Sequence, residues 1–220
     1  MYNMQEDAQI LGSRGELISL TKLRHSLPSH ITSALLMVHA LTGCDTVSSF
    51  AGKGKRKALK LIQDLGDCAP TKTLAKLRQD FTLTDEVYAA IECFVCRLYR
   101  ASTDPINEAR YKLFCLAVDM SERSLPPTLD ALRQHAMRAA YQHGIWLRVL
   151  KPIMDAPTPC GHGWRMAERG LEIVWMTLPA APADILKTVI CLRQKSACAA
   201  TSRRSCRKAS LPCTPSCRCH

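Results

Sequence analysis

The stretch ALTGCDTVSSFAGKGKRKALKLI, residues 40–62, decides how the chain is read. An apolar run delivers Asp45 behind a glycine and a cysteine, and Gly52-Lys53-Gly54 then opens onto Lys55, Arg56 and Lys57. Ala58, Leu61, Ile62 and Leu65 fall on one side of a helical pattern, with Lys53, Arg56, Lys57 and Lys60 on the other. A glycine turn leading into a helix start aims backbone N–H groups outward, where the helix dipole favours anions. Glycines at 52 and 54 permit a phosphate to come close, and the lysines and arginine add charge around the same point. This is the pattern of a phosphate-backbone clamp rather than a base reader. Its plainer alternative is a solvated basic loop. The P-loop spacing G-x-x-x-x-G-K-[ST] is absent.

Working outward, 220 residues with 47% hydrophobic content suffice for one fair-sized core. Aromatics make up 5%, which disfavours a surface built from base-stacking platforms. The formal charge of +11 favours polyanionic partners, and residues 191–220 carry seven Lys or Arg and no acid. Half of the twelve cysteines lie in the same tail. Glu6 and Asp7 sit where a secretory h-region would begin, and no uncharged apolar run reaches the ~18 residues of a spanning helix. The expectation is a reducing, nuclear compartment with no membrane partner, in which clustered cysteines serve as metal ligands rather than disulfides.

Coarse periodicity predicts a mainly α chain. A short strand is expected over 16–20 and a largely buried helix over 29–42 with Ile31, Ala34, Leu35, Val38 and Leu41 inward, ended by Gly43. His39 on that helix reads as a satisfied core histidine. Thr84 can cap a helix burying Val87, Ala90, Ile91, Phe94, Val95 and Leu98. Asn107–Val118 reads as another helix, and Pro126-Pro127-Thr128 introduces one to about Tyr141. Residues 152–182, rich in proline, glycine and tryptophan, read as an irregular packed connection without strands.

Leu41-Thr42-Gly43-Cys44-Asp45, followed by Ser49, Gly52, Gly54 and Ala58–Ile62, resembles the C-terminal part of flap-endonuclease (XPG-type, PIN-like) nucleases. The resemblance implies a helix-two-turn-helix at about 43–65. It makes Asp45 a ligand of a catalytic magnesium or manganese ion. Gly52, Lys53 and Gly54 become the turn that grips duplex DNA, often with a monovalent cation. The order GCDTVSSFAGKGK, INEARYKLF, LPPTLDAL, AAYQHGIW, GW, W-x-x-LP and a cysteine tail is also similar to a mobile-element-associated family. Its members join a flap-nuclease-like domain to a Cys-rich module. Two-metal hydrolysis needs several converging carboxylates, and only Glu6, Asp7 and Glu16 precede Asp45 here. Asp45 is therefore expected as a vestigial ligand or a plain Asx-turn residue.

In the tail, Cys191, Cys198, Cys206, Cys213, Cys217 and Cys219 are separated by six, seven, six, three and one residues. Four thiolates suffice for a structural zinc. The segment CRKASLPCTPSCRCH resembles the CXC (tesmin-like) module, whose cysteines bridge zinc ions while Lys and Arg contact DNA. Arg193 and Arg204 stand where two of that module's cysteines are expected, so fewer ions, or a disordered basic arm, would follow. Cys93-x-x-Cys96 lies in a helical stripe and reads as half-buried thiols, and Cys160 with His162 is a weak ligand pair. The combined expectation has three parts: a partial flap-nuclease-like helical domain over 1–150, a connector over 151–190 and a CXC-like tail over 191–220. It would bind DNA without sequence preference. The alternatives are a metal-dependent endonuclease completed by a missing N-terminal half, and a protein-interaction remnant. Oligomeric state is not legible.

Overall fold

The computed structural model describes residues 8–66, 68–75, 81–101, 105–116, 124–153 and 155–178. Among them the chain is mainly α, with seven helices and two antiparallel two-stranded sheets. Strands β1 (Gln9–Leu11) and β2 (Leu17–Ser19) pair with Ile10 opposite Ile18 and lead into α1 (Leu20–Ser26). Then follow α2 (Ser29–Leu41), α3 (Lys55–Leu65), α4 (Ala69–Ala75), α5 (Asp85–Leu98), α6 (Ile106–Leu116) and α7 (Leu129–Leu147). A hairpin of β3 (Trp164–Ala167) and β4 (Gly170–Ile173) closes the described part.

Local chemistry explains the helix starts. Thr84 and Thr128 accept from the amides of Val87 and Ala131 at 3.4 and 3.3 Å, and Asp85, Glu86 and Asp130 occupy the first turns. Helix α2 packs against α7, α4 and α3, and α5 against α4, α6, α7 and α3. Small residues suit the crossing of α2 with α7: Ala34 and Ala40 of α2, with Ala136, Ala139 and Ala140 of α7, are almost fully buried. Ile31, Met37, Ile62, Phe94 and Leu74 fill the space between the helices.

Several expectations need correction. Helix α7 runs on through Gly144 to Leu147. Glycine there costs about 1 kcal/mol of propensity, yet a Cβ would lie 2.5 Å from the Phe81 ring, so the packing requires its absence. Residues 152–182 are not strandless, since β3 and β4 form a register of four pairs within them. Alternation over four residues was too short a signal against that background of prolines and glycines. Leu35 is 43% exposed, outside the buried face of α2, and His39 is exposed rather than a core histidine. The inner face uses Met37 and Ala40 instead.

Candidate nucleic-acid interface

Helices α2 and α3 are joined by two successive turns. Gly43 ends α2 at φ +102, and a Cβ there would stand 2.7 Å from the Ser49 Cβ and 2.9 Å from its Cα, so no side chain fits. In the first turn Cys44 and Val47 exchange backbone hydrogen bonds of 2.9 and 3.3 Å across Asp45 and Thr46. In the second the Lys53 amide donates to Phe50 O at 3.0 Å, with Gly52 at the third position and φ +66, as a type II turn needs. Helix α3 starts at once, with Gly54 as an extended N-cap that brings no side-chain hydrogen bond and no acid in the first turn. Among the described residues, a Cβ at Gly52 or Gly54 would meet nothing within 4 Å, so they leave this side of the turn open.

The structure gathers Gly52, Lys53, Gly54, Lys55, Arg56, Lys57 and Lys60 here, but gives the cations different duties. Lys57 Nζ donates to Gly52 O at 2.7 Å and braces the turn. Lys55 Nζ donates to Gly43 O, and at 3.4 Å to His39 O, so it serves carbonyls left over at the end of α2. Lys53 Nζ lies 4.9 Å from the centroid of the Tyr99 ring. Arg56 and Lys60 are exposed on the outer face of α3. Ala58 and Ile62 are buried beneath them, with Leu61 and Leu65 half-buried as expected.

Arg100 joins this group, and nothing in its local sequence announces it. It follows the end of α5, where the Ala101 amide donates to Cys96 O and the Arg100 amide to Arg97 O, both at 2.9 Å. This is a Schellman closure, and Arg100 takes the left-handed position at φ 57 that glycine normally fills. Partial burial, then Lys57, then Arg100 push the Lys53 pKa down. Lys57 and Arg100 thus lie near enough to Lys53 to repel its charge, a repulsion an anion would relieve.

Asp45 is exposed at the tip of the first turn, with Thr46 Oγ1 beside it donating to Gln142 Oε1 at 2.6 Å. Among the described residues no three His, Cys, Asp or Glu side chains converge on one point. Among the described residues, Asp45 therefore lacks the group of three donors that a catalytic magnesium or manganese ion would use. At the Gly-Lys-Gly turn the Gly52 carbonyl accepts from the Lys57 ammonium. Cys93 is half-buried and Cys96 buried in α5, while Cys160 and His162 are half-buried without a third donor among the described residues. The tail ligands Cys191, Cys198, Cys206, Cys213, Cys217 and Cys219 lie outside the described residues.

No family model, curated protein or solved structure matches the chain. What the fold and site define is a mainly α protein with an uncapped, cation-ringed helix start. No helix among the described residues is long and apolar enough to cross a membrane.

Proposed function

We propose that the chain binds DNA through its phosphate backbone, without sequence preference, at the start of α3. The supporting observation is the open turn at Gly52 and Gly54, which leads into a helix start with no side-chain cap and no acid in its first turn, flanked by Lys53, Arg56 and Lys57. The exposed Arg56 and Lys60 extend the contact along the strand. The role suits a nuclear protein. Kinship with flap nucleases remains a resemblance of motif, and the endonuclease alternative rests on carboxylates that the described residues do not bring to Asp45.

Lys53, Arg56 and Lys60 are the residues to change, because Lys55 and Lys57 also hold backbone carbonyls in place. Replacing all three by glutamine should weaken duplex binding equally for unrelated sequences. The slope of log K against log salt should fall by about 0.9 per lost phosphate contact. An unchanged slope would return the turn to a solvated basic loop.

For the tail we propose zinc. Six thiols among seven cations favour the thiolate form, and zinc would order a segment with little apolar content. Elemental analysis of the full chain, purified under reducing conditions, should find at least one zinc per chain, lost on acidification as protons compete for sulfur. A metal-free result would reduce the tail to a basic arm.

A further inference from the structure

Helix α2 is apolar on more than one side. Its inner face buries Ile31, Ala34, Met37 and Leu41, yet Leu35 and Leu36 point away from that core. A helix of this kind needs cover on each apolar face. Between α2 and α3 lies a groove of about 580 Å³ with Leu35, Leu36, Val38 and Leu59 along its floor. His39, Lys55 and Arg56 stand at its rim, with no Asp or Glu among the described residues that line it. A groove of this size falls within the roughly 300–1,000 Å³ of ordinary ligand sites.

We infer that this groove docks an acidic amphipathic helix of a partner protein. The floor accepts apolar side chains spaced three and four residues apart, as in other helix-in-groove complexes. The rim selects the sign of the flanking charges. Among the described residues Arg56 has no hydrogen-bond or ion-pair partner, so its guanidinium can meet a carboxylate. The start of α3, with no acid in its first turn, adds the positive end of the helix dipole beside it. DNA can satisfy the cations but cannot fill an apolar floor. A second copy of this chain would bring a further +11 to a basic rim. Charge and shape together therefore favour an acidic, apolar-faced helix over both.

The test is fluorescence anisotropy with the full chain and a labelled helical peptide of about 16 residues, carrying leucine on one face and glutamate on the other. Saturable binding is expected, at least about 10-fold tighter than for the same peptide with lysine in place of glutamate. Leu35→Gln changes an exposed position and should weaken the peptide by about 10-fold while leaving duplex binding unaltered. Lys53→Gln should do the reverse, which separates the groove from the DNA turn. Equal binding of the lysine peptide, or indifference to both Leu35→Gln and Arg56→Gln, would overturn the inference. So would self-association of the chain alone that Leu35→Gln abolishes, since a second copy would then be the occupant.

Discussion

Arg100 holds a backbone conformation that disfavours any residue with a Cβ, at φ 57 after the last turn of α5. Left-handed geometry costs a non-glycine residue about 1–2 kcal/mol. Such outliers persist where the surroundings hold them, and this one places a guanidinium beside Lys53. Arg100→Gly should therefore separate stability from binding. Chemical denaturation should show a gain of about 0.5–1 kcal/mol, tempered by the greater freedom of glycine in the unfolded chain. The same variant should bind duplex DNA more weakly, with a salt slope smaller by about 0.9. A variant that loses stability and keeps its slope would mean that Arg100 serves the end of α5 alone.

At the scale of elements, the end of α2 governs the site. The carbonyls at its end take side-chain hydrogen bonds from three directions. Thr42 Oγ1 donates to Val38 O at 2.7 Å, Lys55 reaches across from α3, and His135 Nε2 of α7 donates to Leu41 O at 2.8 Å. Because that carbonyl only accepts, His135 carries its proton on Nε2, and Nδ1 accepts from Ser48 Oγ at 3.0 Å. Burial drives the His135 pKa down to about 4, against an upward pull from the Leu41 bond and with a further push from Arg138. Between the unfolded value of 6.5 and about 4, the unfolded chain takes up a proton that the native one refuses. The contribution of this neutral histidine is thus complete above about pH 6.5 and lost as the pH falls, by up to about 3 kcal/mol near pH 4. Burial lowers His143 in the same direction. Urea midpoints followed from about pH 7.5 to pH 4 should fall steadily. Over the same range the imidazole resonances of His135 should not titrate until the lower limit. Ordinary titration near pH 6.5 would show that the α2–α7 contact is open to water.

Across the whole molecule, α7 carries the second half of the described chain. Arg138 is 1% exposed, and its Nη1 donates to Val174 O at 2.6 Å and Gly163 O at 3.2 Å on either side of the β3–β4 hairpin. Its guanidinium lies 5.3 Å from the Trp175 ring. About two turns earlier, Asp130 accepts from the Thr177 amide and hydroxyl at 2.6 Å and from the Leu178 amide at 2.9 Å, and these bonds lower its pKa. The hairpin is docked on α7 by these polar groups together with the Tyr141 ring, 5.5 Å from that of Trp164. Arg138→Lys keeps the charge but loses the planar fork, and should cost about 2–4 kcal/mol. Limited proteolysis should then cut first within 150–178, with a change in the emission of Trp164 and Trp175. Uniform destabilisation without early cleavage would mean that the hairpin is held elsewhere.

The helices on which the site rests could be read from periodicity and caps alone. Thr84 and Thr128 mark their own helix starts, Gly43 and Gly52 mark turns, and α3 sorts its lysines from its apolar residues by a period of 3.6. These are local choices, decided within a few residues of chain. What each cation does was not local. Lys55 and Lys57 look identical to Arg56 and Lys60 in the sequence, yet the first two bond carbonyls and the others face solvent. Arg100 enters the site only because α5 ends beside the turn, some forty-five residues along the chain from Gly54. Leu35 and His39 were misplaced for a related reason. A helix apolar nearly all round does not say which side will meet α7 and which will be left as a groove. Residue type and spacing determined the elements and their charge, while long-range packing decided which charges are spent on the fold and which remain free to meet a partner.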